Sequence, residues 1–326
     1  MCYCLLFVEF SFAQLSVSTT QIPDSLIKRV LVGGGVTVSN VTSQGAAVQR
    51  GHFKDKNNQS KIGITDGIIL STGDVNKIIG NANTLASSPI KKPGDADLAK
   101  IAKTTLDSTY DASIIAFDFV PSSDTISFRY VFASEEYPDW VGQGYNDVFV
   151  FLISGPGITN DPGLSGKNIA IIPGTNLPVS INNINNVSGY DKYKKYYIDN
   201  LTGQYITYNG FTTVLTAISN VNACQKYHIK LAITDVKDYY YDSGVLLEAN
   251  SLSSPDIKRN NGFTKTYIST KYGYKGCSMP YVTFKKPAKE KNVSRTFNIS
   301  IGGTAKDGID YNIFDQNATH LINPTS

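Results

Sequence analysis

The sequence predicts a mainly β protein: an antiparallel β-sandwich of jelly-roll type with two short helices, followed by a partial second β-sandwich module. Three observations lead there. Tyr (20) and Gly (27) are plentiful beside many Thr, Ser and Asn, while only 17% of residues are charged, a mixture that suits strands and turns better than helices. From residue 111 onward, apolar runs of strand length are separated by Gly, Pro and Asn turn signals. The clearest run puts Tyr227, Ile229, Leu231 and Ile233 on one face and His228, Lys230, Ala232 and Thr234 on the other.

At 326 residues the chain exceeds the usual single domain. The expected divisions are a signal peptide over 1–13, a sandwich domain over 14–253, and a linker with an incomplete β module over 254–326. The apolar block from Cys4 to Phe12 ends in Ser11-Phe12-Ala13, the small-x-small pattern of signal-peptide cleavage, although basic residues do not precede it. Cleavage there removes Cys2 and Cys4. Cys224 and Cys277 then remain; nothing in the sequence brings them together, and no disulfide is expected. A net charge of +3 without an Arg-rich aromatic patch argues against nucleic acid. No apolar run reaches the length of a membrane span.

Along the mature chain, Ile22, Leu26, Ile27, Val30 and Leu31 at helical spacing predict a short helix over 21–32, stopped by Gly33-Gly34-Gly35. A strand follows over 36–41. Residues 52–61 are polar and predict a loop containing His52. Residues 64–73 read as a turn and a buried strand, and 95–104 as the second short helix. Strands are expected over 114–120 and 125–132, joined by the turn Pro121-Ser122-Ser123-Asp124, and then over 148–153, 168–172, 211–217, 227–235 and 244–249. Residues 182–210, rich in Asn, Tyr and Lys, predict an exposed excursion with a hairpin in it.

Two acidic loops stand out. The first joins two strands and carries Glu135, Glu136, Asp139, Asn146 and Asp147, with Gly142, Gly144 and the single Trp, Trp140. The second follows the strand over 227–235 and carries Asp235, Asp238 and Asp242. Carboxylate and amide oxygens are the ligands a hard cation prefers, so these eight residues are the candidate ligands of a calcium site at one end of the sandwich. The competing reading is a pair of polar surface loops that bind nothing.

Several ordered motifs then carry a resemblance. They are Gly67-Ile68-Ile69-Leu70-Ser71-Thr72-Gly73, Phe117-Asp118-Phe119-Val120-Pro121, Phe132-Ala133-Ser134-Glu135-Glu136-Tyr137, Asn146-Asp147-Val148-Phe149, Asn168-Ile169-Ala170, Tyr227-His228-Ile229-Lys230-Leu231-Ala232-Ile233 and Tyr241-Asp242-Ser243-Gly244-Val245. Together they resemble the choice-of-anchor L domain over about residues 21–253. Thr234, where a small residue such as Ala is expected, and Val150, where Gly is commoner, depart from that pattern, and neither is a candidate ligand. The resemblance implies a secreted or surface-displayed bacterial protein whose shared domain is joined to varied sorting or anchoring tails.

The basic tail differs in composition. Tyr281-Val282-Thr283-Phe284, the alternating run 295–301 and Gly303-Thr304-Ala305-Lys306-Asp307-Gly308-Ile309-Asp310-Tyr311 resemble the opening of a Calx-beta-type repeat. The chain ends before such a repeat closes, so it reads as a fragment, with attachment through a C-terminal anchor or sorting region beyond Ser326.

These features favour a non-enzymatic cell-surface or secreted binding or adhesion module, stabilised by calcium, whose partner is a cell-surface glycan or protein. The alternative is a carbohydrate-binding module or a glycan-active hydrolase using the acidic cluster. Against a hydrolase, the neighbours Glu135 and Glu136 point to opposite faces of an extended chain. Glu135 with Asp242 could flank a glycosidic bond, but nothing in the sequence indicates it. No nucleophile elbow or zinc-protease motif surrounds His52, His228 or His320. Tyr190, Tyr193, Tyr196, Tyr197, Tyr205 and Tyr208 could instead offer ring faces to sugars, against the plainer expectation that they pack on their own sandwich.

Overall fold

In the computed structural model, residues 15–254 are described in full; beyond them the structure describes the backbone of four further strands. The chain divides into two compact units, 1–254 and 255–326. In the second unit, Lys258–Phe263 pairs with Pro280–Lys285, and Asn312–Gln316 with Thr319–Asn323, each antiparallel. Tyr281-Val282-Thr283-Phe284 therefore lies in a strand. The rest of the Calx-beta-like pattern, the expected signal peptide, Cys2, Cys4 and Cys277 lie outside the described residues.

The first unit is the β-sandwich that the composition predicts. One sheet takes β1 (Leu15–Ser18), β3 (Arg50–Asp55), β4 (Asp66–Ser71), β13 (Ser243–Glu248), β6 (Thr125–Ser134), β10 (Gly210–Thr212) and β9 (Tyr197–Asp199) in that order, with β11 (Leu215–Asn220) also on β6. The other runs β2 (Val36–Gln44), β5 (Thr109–Pro121), β12 (Tyr227–Val236), β7 (Val148–Ser154) and β8 (Lys167–Asn168). Every strand pair in both sheets is antiparallel.

Strand alternation sorts the apolar residues into three layers. Between the sheets lie Leu70, Phe128, Tyr130, Phe132 and Val245 from one side and Phe117, Phe149, Phe151, Leu231 and Ile233 from the other. Rings interlock across this gap: Phe128 and Phe151 centroids are 4.8 Å apart, and Phe132 stacks on Phe149 at 5.2 Å. The outer face of the first sheet (Phe53, Ile69, Val131, Leu246) is covered by loop residues such as Ile62, Ile64 and Val75. The outer face of the second (Ile114, Val150, Leu152, Ala232) is covered by Leu98 of the helix α2 (Ala96–Ile101). Asp95 caps that helix through the N–H groups of Asp97 and Leu98. Lys230 fastens it to the sheet, its Nζ 2.7 Å from Asp95 and 2.9 Å from Asp97.

Several expected elements differ. The first helix is a single α turn, α1 (Pro23–Ser25), running into a π-helical turn over Leu26–Leu31, whose i→i+5 bond closes from Val32 N to Ile27 O. The wider turn buries Leu26, Ile27, Val30 and Leu31 together. His52 stands in the strand β3, not in a loop: Gly51, Phe53 and Asp55 point in while His52 and Lys54 alternate out, a pattern carried by one bulky apolar residue. The strand expected over 168–172 shrinks to Lys167–Asn168, because Asn168 turns its Oδ1 onto the N–H groups of Phe151 and Ala170. The run 211–217 breaks into β10 and β11. Strand β2, at the edge of the second sheet, is interrupted by a register shift between Ser39 and Thr42, with Asn40 at φ 52° and its amide bonded to Asp118.

Candidate functional site

The site grows out of the sandwich core at the end where β6 and β12 stop and β7 and β13 begin. Ser243 pairs with Ser134 in one sheet, and Thr234 with Val148 in the other. The alternation that points Phe132, Val245, Ile233 and Phe149 into the core also points in the polar residues that follow: Ser134 and Ser243 from one sheet, Asp235 and Asp147 from the other. A register shift between Ile233 and Asp235 marks a bulge in the β12–β5 pairing, which resumes at Asp235 opposite Tyr110, the kind of irregularity that re-aims a side chain. The last layer of the core is thus made of hydroxyls facing carboxyls.

Ser243 Oγ crosses between the sheets, 2.7 Å from Asp147 Oδ2 and 2.8 Å from Ser134 Oγ. The Val236 N–H donates to Asp147 Oδ1 at 2.9 Å. Asp235, only 1% exposed, has no well-aligned hydrogen bond on either carboxylate oxygen, although the Thr72 hydroxyl and the Asp147 carboxyl lie beside it. Glu135 and Glu136 are also buried, and one oxygen of each lacks a partner. Asp242, by contrast, is fully engaged: Ser88 N–H donates to Oδ1 at 3.1 Å and Ser88 Oγ to Oδ2 at 2.6 Å. Among the described residues, no salt bridge reaches any of these five carboxyls.

The electrostatics follow from that burial. Taken out of water, a carboxylate is disfavoured against its neutral acid, and neighbouring carboxylates add to the effect. Burial, reinforced by Asp147 and Asp242, holds the Asp235 carboxyl well above its usual range. Burial, with Asp147 and Asp238 beside it, does the same to Glu136. Asp147 is pushed up to about 7 by burial, tempered by the bonds from Ser243 and Val236. Glu135 rises to about 8 through burial and the Asp242 charge. Asp238 and Asp242 also rise, again through burial.

Six of the eight sequence-predicted ligands therefore share this end of the molecule, in two groups. Glu136, Asp147 and Asp235 act on one another, with the half-buried Asp238 beside Glu136 and Asp147; Glu135 and Asp242 stand beside Tyr208, and Asp242 also acts on Asp235. Asp139 is exposed, and Asn146 spends its Oδ1 on the Asn182 N–H at 3.1 Å. In the arrangement of the structure, no three His, Cys, Asp or Glu side chains among the described residues stand close enough to enclose a metal ion. Sequence reasoning missed Ser88, Ser134, Ser243 and Thr72, which furnish the hydroxyls around the carboxyls. Their signal was faint, since only Ser134 and Ser243 lie beside an acidic motif.

An aromatic rim adjoins the carboxyls. Trp140 lies 4.9 Å from Tyr145 and 5.8 Å from Tyr241, ring to ring, and Lys237 Nζ stands 5.2 Å from the Tyr145 centroid. Of the tyrosines in the 182–210 excursion, Tyr208 is buried, Tyr193, Tyr196 and Tyr197 pack against the core, and Tyr190 and Tyr205 are exposed. His52 Nε2 meets Asp66 Oδ1 at 2.6 Å, and His228 Nδ1 meets Asp118 Oδ1 at 2.9 Å.

Fold and site together define an antiparallel β-sandwich module with an acidic end. Residues 15–253 match the choice-of-anchor L domain, and the chain belongs to that family. The family is a domain of bacterial surface-associated proteins and not a known enzyme family. No curated protein and no solved structure matches the chain. No helix among the described residues is long and apolar enough to cross a membrane.

Proposed function

We propose that the chain is a non-catalytic binding or adhesion module of the bacterial surface whose acidic end takes up calcium. The observation that carries the calcium reading is Asp235, buried with neither carboxylate oxygen in a well-aligned hydrogen bond and no cation beside it among the described residues. A buried ionised group without a partner is costly, and it either binds a proton or acquires a counter-ion. Calcium prefers six to eight oxygen ligands in flexible geometry, and Glu136, Asp147, Asp235 and Asp238 offer hard oxygens from two loops. Ser11-Phe12-Ala13 supports export through cleavage after Ala13. The partner is a glycan or protein of the cell surface.

The test is thermal melting of the full chain with calcium and with chelator. A site of weak extracellular type gains about 1.4 kcal/mol when the ion is tenfold above its Kd, and each kcal/mol moves the midpoint of a domain this size by about 2–4 °C. Calcium is expected to raise the midpoint by a few degrees, and elemental analysis to find it on the purified protein. An unchanged midpoint together with metal-free protein would refute the reading.

A further inference from the structure

The two loops that bear the carboxyls also bear the aromatic rim, and they touch each other through it. Trp140 and Tyr145 belong to the 135–147 loop, while Lys237 and Tyr241 belong to the 237–242 loop. The Trp140–Tyr241 contact and the seat of Lys237 over Tyr145 both run from loop to loop. Trp140 closes the turn that begins at Glu136, its main-chain N–H donating to the Glu136 main-chain carbonyl at 3.1 Å.

The candidate ligands are not equivalent. Asp242 has both oxygens occupied by Ser88 and acts as a strut that holds the 86–88 segment. Glu135, in the turn that follows β6, stands near Asp242, and the Asn209 amide donates to its main-chain carbonyl at 2.8 Å. Asp235 and Glu136 retain buried oxygens without well-aligned hydrogen bonds, and Asp147 sits beside both. Asp238 is half-buried, and its Oδ1 accepts from the Tyr240 N–H at 3.0 Å. These side chains do not converge tightly enough as they stand, so ion uptake requires the loops to draw inward.

From this we infer that one hard divalent cation seats at Asp235 between Asp147 and Glu136, with Asp238 closing over it, and that its uptake pulls the two loops together and resets the ledge of Trp140, Tyr145 and Tyr241. The inference rests on the calcium reading above and adds to it a ligand set and a consequence: the half-buried aromatic surface of this end becomes calcium-dependent. A binding face built on that ledge would be switched on by the ion, not merely stabilised by it.

Trp140 is the chain's single tryptophan, so its fluorescence reports the ledge without labelling. Calcium is titrated into the full chain while heat of binding and Trp140 emission are followed, alongside Asp235→Asn and, as a control, Asp139→Asn at an exposed position. The expected result is one ion per chain and a saturable emission shift with the same midpoint as the heat. Both signals should be lost in Asp235→Asn and kept in Asp139→Asn, with each variant shown to be folded by circular dichroism. Heat without any emission change would overturn the coupling and leave the calcium reading standing. Neither heat nor a melting shift would overturn the calcium reading, and the inference with it. A full response in folded Asp235→Asn would overturn the ligand assignment.

Discussion

Gly73 shows how tightly single residues set the acidic end. It follows β4 within Ser71-Thr72-Gly73, and a Cβ built on it would fall inside the carboxylate of Asp242. That carboxylate cannot step aside cheaply, because Ser88 grips both its oxygens. Gly73→Ala is therefore expected to cost about 1–3 kcal/mol, the usual range for overpacking a filled interior. Chemical denaturation should show the loss as a lower midpoint with an unchanged slope. At this scale the sequence was informative about type and silent about neighbours. Asp147, Asp235 and Asp242 stand out as acids beside strand ends, whereas nothing in the letters tells that Asp242 is satisfied by a serine 154 positions away while Asp235 has no well-aligned hydrogen bond.

Loops and strands bring these acids together, and their shared burial gives the protein an unusual pH response. In the presence of chelator, Asp147 at about 7 and Glu135 at about 8 stand above their unfolded values of about 3.9 and 4.3. The folded state then holds protons that the unfolded state has released. Their contribution is fully present below the unfolded values and is lost as pH rises through 7 and 8. Asp118, held well below the usual carboxylate range by Lys226, His228 and Asn40, acts in the opposite sense but only in stronger acid. The melting temperature of the metal-free chain should accordingly fall between pH 5 and pH 8.5, which differential scanning calorimetry can follow; a flat or rising profile would contradict the burial argument. Strands with period-two alternation, such as β12 and β6, were legible because burial follows that period. β3 was not, since Phe53 is its one large apolar residue, and the π turn over Leu26–Leu31 was read as an ordinary helix because both bury a similar stripe.

For the molecule as a whole, the division at residue 254 has a direct consequence for folding. Among the described residues, the three apolar layers are built within the first unit, and Ser254 closes the unit by bonding Ser122 and Ser123. A fragment spanning 14–254 is expected to melt cooperatively within a few degrees of the full chain's first transition, as followed by circular dichroism. A fragment without a cooperative transition would show that the sandwich needs the tail. The fold class was legible at this scale because composition and alternation are summed over many strands. The strand order was not, since β13 reaches β4 and β6 only through pairings that no local pattern encodes.

The broken border of β2 has a bearing on crowding. A free sheet margin invites a neighbouring copy to extend it, and β2, at nine residues, is the longest such margin in the sandwich. With Asn40 twisting out of line and polar side chains along its open flank, that margin offers no continuous ladder for another chain to zip onto. Crowded copies of this domain therefore find no template at this margin for fusing into fibres.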